Sequence, residues 1–186
     1  IIYMTEQYVY LASNYTDTDG ETNTKIRKVY VWGDYIQPFA EGTVKGTVKD
    51  QSSLDQYGKF LRIATTRTMK DRKTSVGVYT LDYRLEPYGS IPDVAPSEVV
   101  VSCRFVNRRL YLSTSNKIYP FIIVEFPTYK NPQVLGRLKI SGYMHAYNST
   151  TMIGIEREVQ SGQKLGRKVV LINVTDVANP KILSSG

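Results

Sequence analysis

A unit of about fifty residues recurs along the chain, and a fixed period of that length decides an architecture before any single element is read. Its first half is a short apolar strand after a turn. It occurs as Gln7-Tyr8-Val9-Tyr10-Leu11-Ala12, Lys59-Phe60-Leu61-Arg62-Ile63-Ala64, Arg109-Leu110-Tyr111-Leu112-Ser113 and, more loosely, Thr151-Met152-Ile153-Gly154-Ile155. Aligning Tyr10, Arg62, Tyr111 and Ile153 gives steps of 52, 49 and 42 residues. The second half is strand, turn, strand: Phe121–Phe126 before Asn131-Pro132, and Val169–Val174 before Asn179-Pro180, with the Asn-Pro pairs 48 apart. Looser copies are Val29–Asp34 with Pro38 and Val78–Asp82 with Pro87, 49 apart. Asn-Pro favours a turn because Asn bonds its own backbone while Pro fixes φ and removes a donor.

Each period therefore holds about four short strands, and no stretch sustains a 3.6-residue apolar spacing, so little helix is expected. Four strands in ~40–50 residues describe a β-propeller blade. The expected fold is all-β, with about four blades of four antiparallel strands near residues 1–42, 43–92, 93–140 and 141–186, as part of a larger ring. A β-sandwich also uses many short strands, but the regular repeat argues against it. Fifteen Tyr, five Phe and 41% hydrophobic residues suit strands and a packed core. The 186 residues fit one domain. No apolar run approaches the ~20 residues of a membrane-spanning helix, so no membrane span is expected. Cys103 is the only cysteine; it excludes an internal disulfide and a cysteine metal cluster, and its apolar strand predicts a buried thiol.

The residues resemble a known family. Ile2–Ala12, Ser53–Thr66, Asn131–Ile140 and Met152–Ile155 are similar, in order and along nearly the whole chain, to secreted bacterial and archaeal proteins with a C-terminal β-propeller domain distantly related to WD40 repeats. Those proteins are considerably longer, which implies that this chain is an interior or C-terminal set of blades. The resemblance carries over no catalytic residue. It implies that His145 packs or hydrogen-bonds, and that the first strand of the fourth blade is short or shifted, because the chain between Tyr143 and His145 is abbreviated.

The net charge is +7, from 24 Lys and Arg against 17 Asp and Glu. If the b–c hairpins (second to third strand) span 14–28, 66–75, 113–120 and 157–168, their net charges of 0, +3, +1 and +3 account for all of it. An electropositive face for an anionic polymer or surface follows, with Arg67, Lys70, Arg72, Lys73, Arg157, Lys164, Arg167 and Lys168 as the candidate contacts. Solvated hairpin tips are the alternative, since exposed loops collect charge. Nucleic acid is disfavoured, because the aromatics fall on strands and do not interleave with a basic groove.

Chemical motifs are sparse. Asp17-Thr18-Asp19-Gly20-Glu21 begins like a calcium loop, with Asp17, Asp19 and Glu21 as candidate ligands, but lacks the later acidic positions, and a plain Asp-Gly turn is the simpler reading. No other cofactor is indicated. There is no nucleophile elbow, zinc helix or phosphate loop. Asp82, Glu125 and Glu156 lie near strand ends and are the only faint carboxylate candidates for glycoside chemistry. Asn14, Asn148 and Asn173 open Asn-X-Thr triplets, which are acceptors only on an exported protein. The chain opens on Ile1-Ile2-Tyr3, as expected where a leader has been removed or lies outside this stretch.

The expected function is a non-catalytic binding or scaffolding propeller, extracellular or at the cell surface, with a protein or anionic glycan as partner. The alternative is a module that gates or positions substrate for a hydrolase or lyase site. An open arc of blades would expose apolar faces and self-associate.

Overall fold

The structure, a computed structural model, describes residues 1–186 except 117–119, 140–142, 161–162 and 177, and does not describe the side chains of 156–160 and 163–165. Among the described residues, sixteen strands form four antiparallel sheets, each ordered as in the sequence. The first blade is β1 (Ile2–Met4), β2 (Tyr8–Thr16), β3 (Thr22–Trp32) and β4 (Tyr35–Lys45). The second is β5 (Leu54–Tyr57), β6 (Phe60–Thr68), β7 (Thr74–Leu81) and β8 (Pro87–Pro96), and the third β9 (Val100–Val106), β10 (Arg109–Thr114), β11 (Phe121–Thr128) and β12 (Asn131–Leu138). The fourth is β13 (Tyr143–Ala146), β14 (Thr151–Gln160), β15 (Gln163–Asn173) and β16 (Lys181–Ser185). The only helical element among the described residues is a single 3-10 turn, Gln51–Ser53. Five of the eight prolines lie on β4, β8 and β12, outermost strands whose missing N–H groups interrupt no further ladder.

The chain divides into two compact units, Ile1–Val99 with Pro127–Pro132, and Val100–Phe126 with Gln133–Gly186. In the first, Tyr10, Ala12, Ile26 and Val44 of blade 1 pack with Leu54, Leu61, Ile63, Leu81 and Leu85 of blade 2. In the second, Tyr111, Phe121 and Ile123 of blade 3 pack with Met144, Met152, Val170, Ile172 and Val174. Strand alternation explains which residues take part: Leu61 and Ile63 share a face, while Arg62 points the other way. Each fully buried aliphatic side chain of this size stabilises by about 1.5–3 kcal/mol.

One hairpin design recurs. At Asp17–Glu21, Met69–Lys73 and Asp82–Glu86 the first N–H donates to the fifth carbonyl and the fourth N–H to the first carbonyl. The fourth residue takes left-handed backbone: Gly20 at φ 82°, Arg72 at 64° and Leu85 at 63°. Glycine adopts this freely and other residues at a cost. At Leu85 the conformation persists because the side chain is buried in the unit core and its carbonyl rests where Gly42 has no Cβ; a methyl there would overlap it. Blade 2 receives the next turn in the same manner, since Gly89 lies beneath the carbonyls of Tyr129 and Lys130, and Tyr129 stacks on Phe60 with centroids 4.3 Å apart.

Among the described residues, apolar rows stand exposed on blades 1 and 4. On blade 1, Ile2 pairs with Leu11 and Met4 with Val9 on the side away from the core, and Met4 is 66% exposed. On blade 4, Tyr143, Ile155 and Val169 form an exposed row across three strands.

Candidate binding site

The strands run further into the b–c hairpins than the sequence segments allow, and this redistributes the charge. In blade 1 the turn proper is Asp17–Glu21 and is wholly acidic in its charged residues. The cations assigned to that hairpin lie on β3 instead. Lys25 and Arg27 bind Glu41 at 2.8 and 2.7 Å, and Lys28 is buried. Lys25 and Arg27, in that order, hold the Glu41 carboxyl below its ordinary range. In blade 2, Arg67 is half-buried at the end of β6, with its Nη2 3.4 Å from Glu21. Glu21 also takes Lys45 at 3.1 Å, and that hydrogen bond is the main reason its carboxyl is depressed. Lys73 binds Asp71 at 2.7 Å. Lys70 and Arg72 stand exposed on the turn. On blade 4 Arg167 is exposed and Lys168 half-buried, while the side chains of Arg157 and Lys164 lie outside the described residues. The blade 1 and blade 2 hairpins thus join through opposite charges instead of forming a uniformly basic surface.

Asp17 acts as a turn cap. Its Oδ1 accepts from the N–H groups of Asp19 and Glu21 at 3.1 and 2.9 Å, and Oδ2 from Asn23 at 2.9 Å. The Glu21 N–H is the main cause of its lowered pKa. A carboxylate filled by N–H donors, beside a Glu21 turned to Lys45 and Arg67, does not present a calcium cradle. Among the described residues no three His, Cys, Asp or Glu side chains gather. Asp82 caps its turn through Arg84 and Glu86 N–H. Glu125 lies 3.7 Å from Arg109, and the Glu156 side chain is outside the described residues. His145 is exposed on β13.

The three Asn-X-Thr triplets differ. The Asn14 amide donates to Val48 at 2.9 Å and its oxygen accepts from Thr24 and Val48, tying blade 1 to the segment entering blade 2. Asn148 is exposed, and its oxygen accepts from Thr150 N–H and hydroxyl at 2.9 and 3.0 Å. Asn173 is half-buried and accepts from Thr175 N–H at 2.8 Å.

Sequence reasoning missed three features of the first unit. Arg62, only 1% exposed, donates from Nε to Asp55 at 3.0 Å and lies over the Tyr57 ring. Lys28 lies 3.9 Å over the Tyr8 ring and 4.8 Å over Phe39, and donates to the Tyr83 carbonyl at 3.1 Å. Burial lowers its pKa while the Asp82 charge opposes that shift. The third is a cavity of about 360 Å³ bounded by Thr43, Val44 and Lys45 of β4 and by Tyr79, Leu81, Pro87 and Tyr88 of blade 2, within the size range of ligand pockets. On blade 2, Arg67 Nε, Ser75 Oγ, Tyr79 OH and Thr80 Oγ1 are buried without a hydrogen-bond partner, and Tyr79 and Thr80 also line the cavity. Each such atom costs about 1–3 kcal/mol if left unmet.

A family profile described as a beta propeller domain matches residues 1–185. An uncharacterized protein of Methanocaldococcus jannaschii is 32% identical over 146 residues, which is 75% of this chain and 23% of that protein. An uncharacterized protein of Archaeoglobus fulgidus is 30% identical over 162 residues, 84% of this chain and 25% of its own. The chain spans about a quarter of the length of these curated relatives.

Proposed function

The chain belongs to the beta propeller domain family, and on that premise we propose that it is a non-catalytic binding module of an exported or cell-surface protein, which takes an anionic polymer or glycan on its b–c hairpins. The observation that carries this reading is the blade 2 turn. Its acidic residue, Asp71, is held by Lys73, while Lys70 and Arg72 stand out into solvent. Exposed Arg167 offers blade 4 the same chemistry. The solvent-facing Asn148 triplet supports export, because its Thr150 hydroxyl already lies against the asparagine oxygen. The uncovered apolar faces of blades 1 and 4 support association with further copies or further blades.

Retention on immobilised heparin, used as the polyanion probe, tests the hairpin reading. The unaltered chain is expected to elute at raised salt, as screening of exposed charges requires, and the K70E/R72E double variant to flow through. Equal retention of both chains, or none of either, overturns it.

A further inference from the structure

The face of blade 1 that packs on blade 2 carries more aromatic surface than blade 2 covers. Tyr10 stands opposite Lys28, Tyr8 opposite Tyr30, Tyr30 opposite Gln37 and Trp32 opposite Tyr35, and residues two apart on a strand share a face. Tyr10 lies in the core shared with blade 2, yet further along the same face Trp32 is 63% and Tyr35 54% exposed. The exposed Met4 and Leu11 lie on the other face, where Met4 pairs with Val9 and Leu11 with Ile2. A further blade stacked there would leave Trp32 and Tyr35 open, because the face that carries them already has its neighbour.

These rings are held in place. Trp32 and Tyr35 flank the two-residue turn Gly33-Asp34, with Gly33 at φ 55°, which sets them side by side on paired strands. The Tyr35 hydroxyl donates to Gln37 Oε1 at 2.8 Å; the phenol can still accept and the exposed amide still donate. Behind them Tyr8 meets Tyr30 and Phe39, each at 5.6 Å between centroids, and Phe39 reaches Tyr83 of blade 2 at 6.5 Å. The Gln7 carbonyl accepts from Val31 N–H at 2.9 Å, which brings the turn at Glu6 alongside.

The surrounding chemistry narrows the ligand. Glu6, Asp34, Asp82 and Glu86 on these segments stand against Lys28 and Arg84, a balance that does not favour an anion. Lys28 already fills the place of a cation over Tyr8 and Phe39. The aliphatic pair at this hairpin, Val31 and Ile36, lies on the other face, so the exposed side chains beside Trp32 are aromatic or polar. A pyranose ring suits them: its C–H face meets the negative face of an aromatic ring, and its hydroxyls meet the phenol and the amide.

We propose that Trp32 and Tyr35, with Gln37 beside them, form a stacking platform for the pyranose rings of a neutral glycan. The platform lies at the opposite end of β3 from the b–c turn and stands whether or not the hairpin cations hold a polyanion.

Trp32 is the single tryptophan of the chain, so its own emission reports on the site. Titration with cellopentaose, maltopentaose and chitopentaose is expected to give, for at least one of them, a saturable change in that emission and saturable heat. Trp32→Ala and Tyr35→Ala are each expected to weaken binding about tenfold or more by calorimetry, as loss of a stacking ring does, with the melting temperature unchanged. Ile36→Ala, on the other face and 70% exposed, and the K70E/R72E variant should bind as the unaltered chain does. No response to any of the three sugars overturns the proposal, and so does undiminished binding by Trp32→Ala. A chain that ignores the sugars but passes from an associated form to monomer on Trp32→Ala would overturn it in favour of a protein partner.

Discussion

Among single residues, Arg62 carries the clearest energetic consequence. A guanidinium that is 1% exposed survives on β6 because Asp55 accepts from it and Tyr57 lies against it. Asp55→Ala is expected to lower unfolding free energy by about 3 kcal/mol, since it removes the carboxylate that neutralises a buried guanidinium. Adding Arg62→Met should recover most of that loss, because replacing both members with apolar volume removes the charge together with its partner. Urea denaturation of the two variants measures this, and a double variant as unstable as the single one would contradict it. Neither this pair nor the Lys28 cage could be read from the chain. Lys28 falls inside the 14–28 hairpin span on sequence alone, because a strand residue's burial depends on what packs against its face, and Tyr8, Phe39 and Tyr83 come from three different segments.

At the scale of elements, the recurring five-residue turn allows a comparison at constant backbone. Arg72 and Leu85 hold the same left-handed conformation, one exposed and the other buried. Arg72→Gly is expected to stabilise by up to about 1 kcal/mol through release of backbone strain. Leu85→Gly should destabilise by about 2–4 kcal/mol, because loss of core volume outweighs the same release. Opposite shifts in melting temperature are the test. The strands themselves were legible, since alternation with period two is a local signal and places Leu61 and Ile63 together without knowledge of the fold. Hairpin limits were not: β2 and β3 continue to Thr16 and from Thr22, so a segment counted as neutral contains an acidic turn and two strand cations bound to Glu41.

For the whole molecule, the uncovered rows on blades 1 and 4 are the feature with consequences in solution. Ile2, Met4 and Leu11 on one, and Tyr143, Ile155 and Val169 on the other, are of the kind that blades bury against blades. Light scattering of the 21.1 kDa chain is expected to give a mass above the monomer that persists at high salt, since apolar association is not screened. Met4→Glu with Val169→Glu should return it to monomer. A unaltered chain that is monomeric throughout would remove the argument for association. The four-blade repeat was readable because four copies of one pattern reinforce each other. The cavity was not, because its walls at Thr43–Lys45 and Pro87–Tyr88 lie about forty residues apart and no repeat marks them.

The fit of the Leu85 turn over Gly42 also bears on the order in which the chain is made. Blade 1 leaves the ribosome first and carries the recess; the turn that fills it emerges some forty residues later and finds its seat ready. Blade 2 then offers Gly89 to the turn at Tyr129 and Lys130 in the same sense. In both places the recess precedes in the sequence the turn that fills it, and a chain severed between Val48 and Leu54 is expected to regain its first unit when the two pieces are mixed.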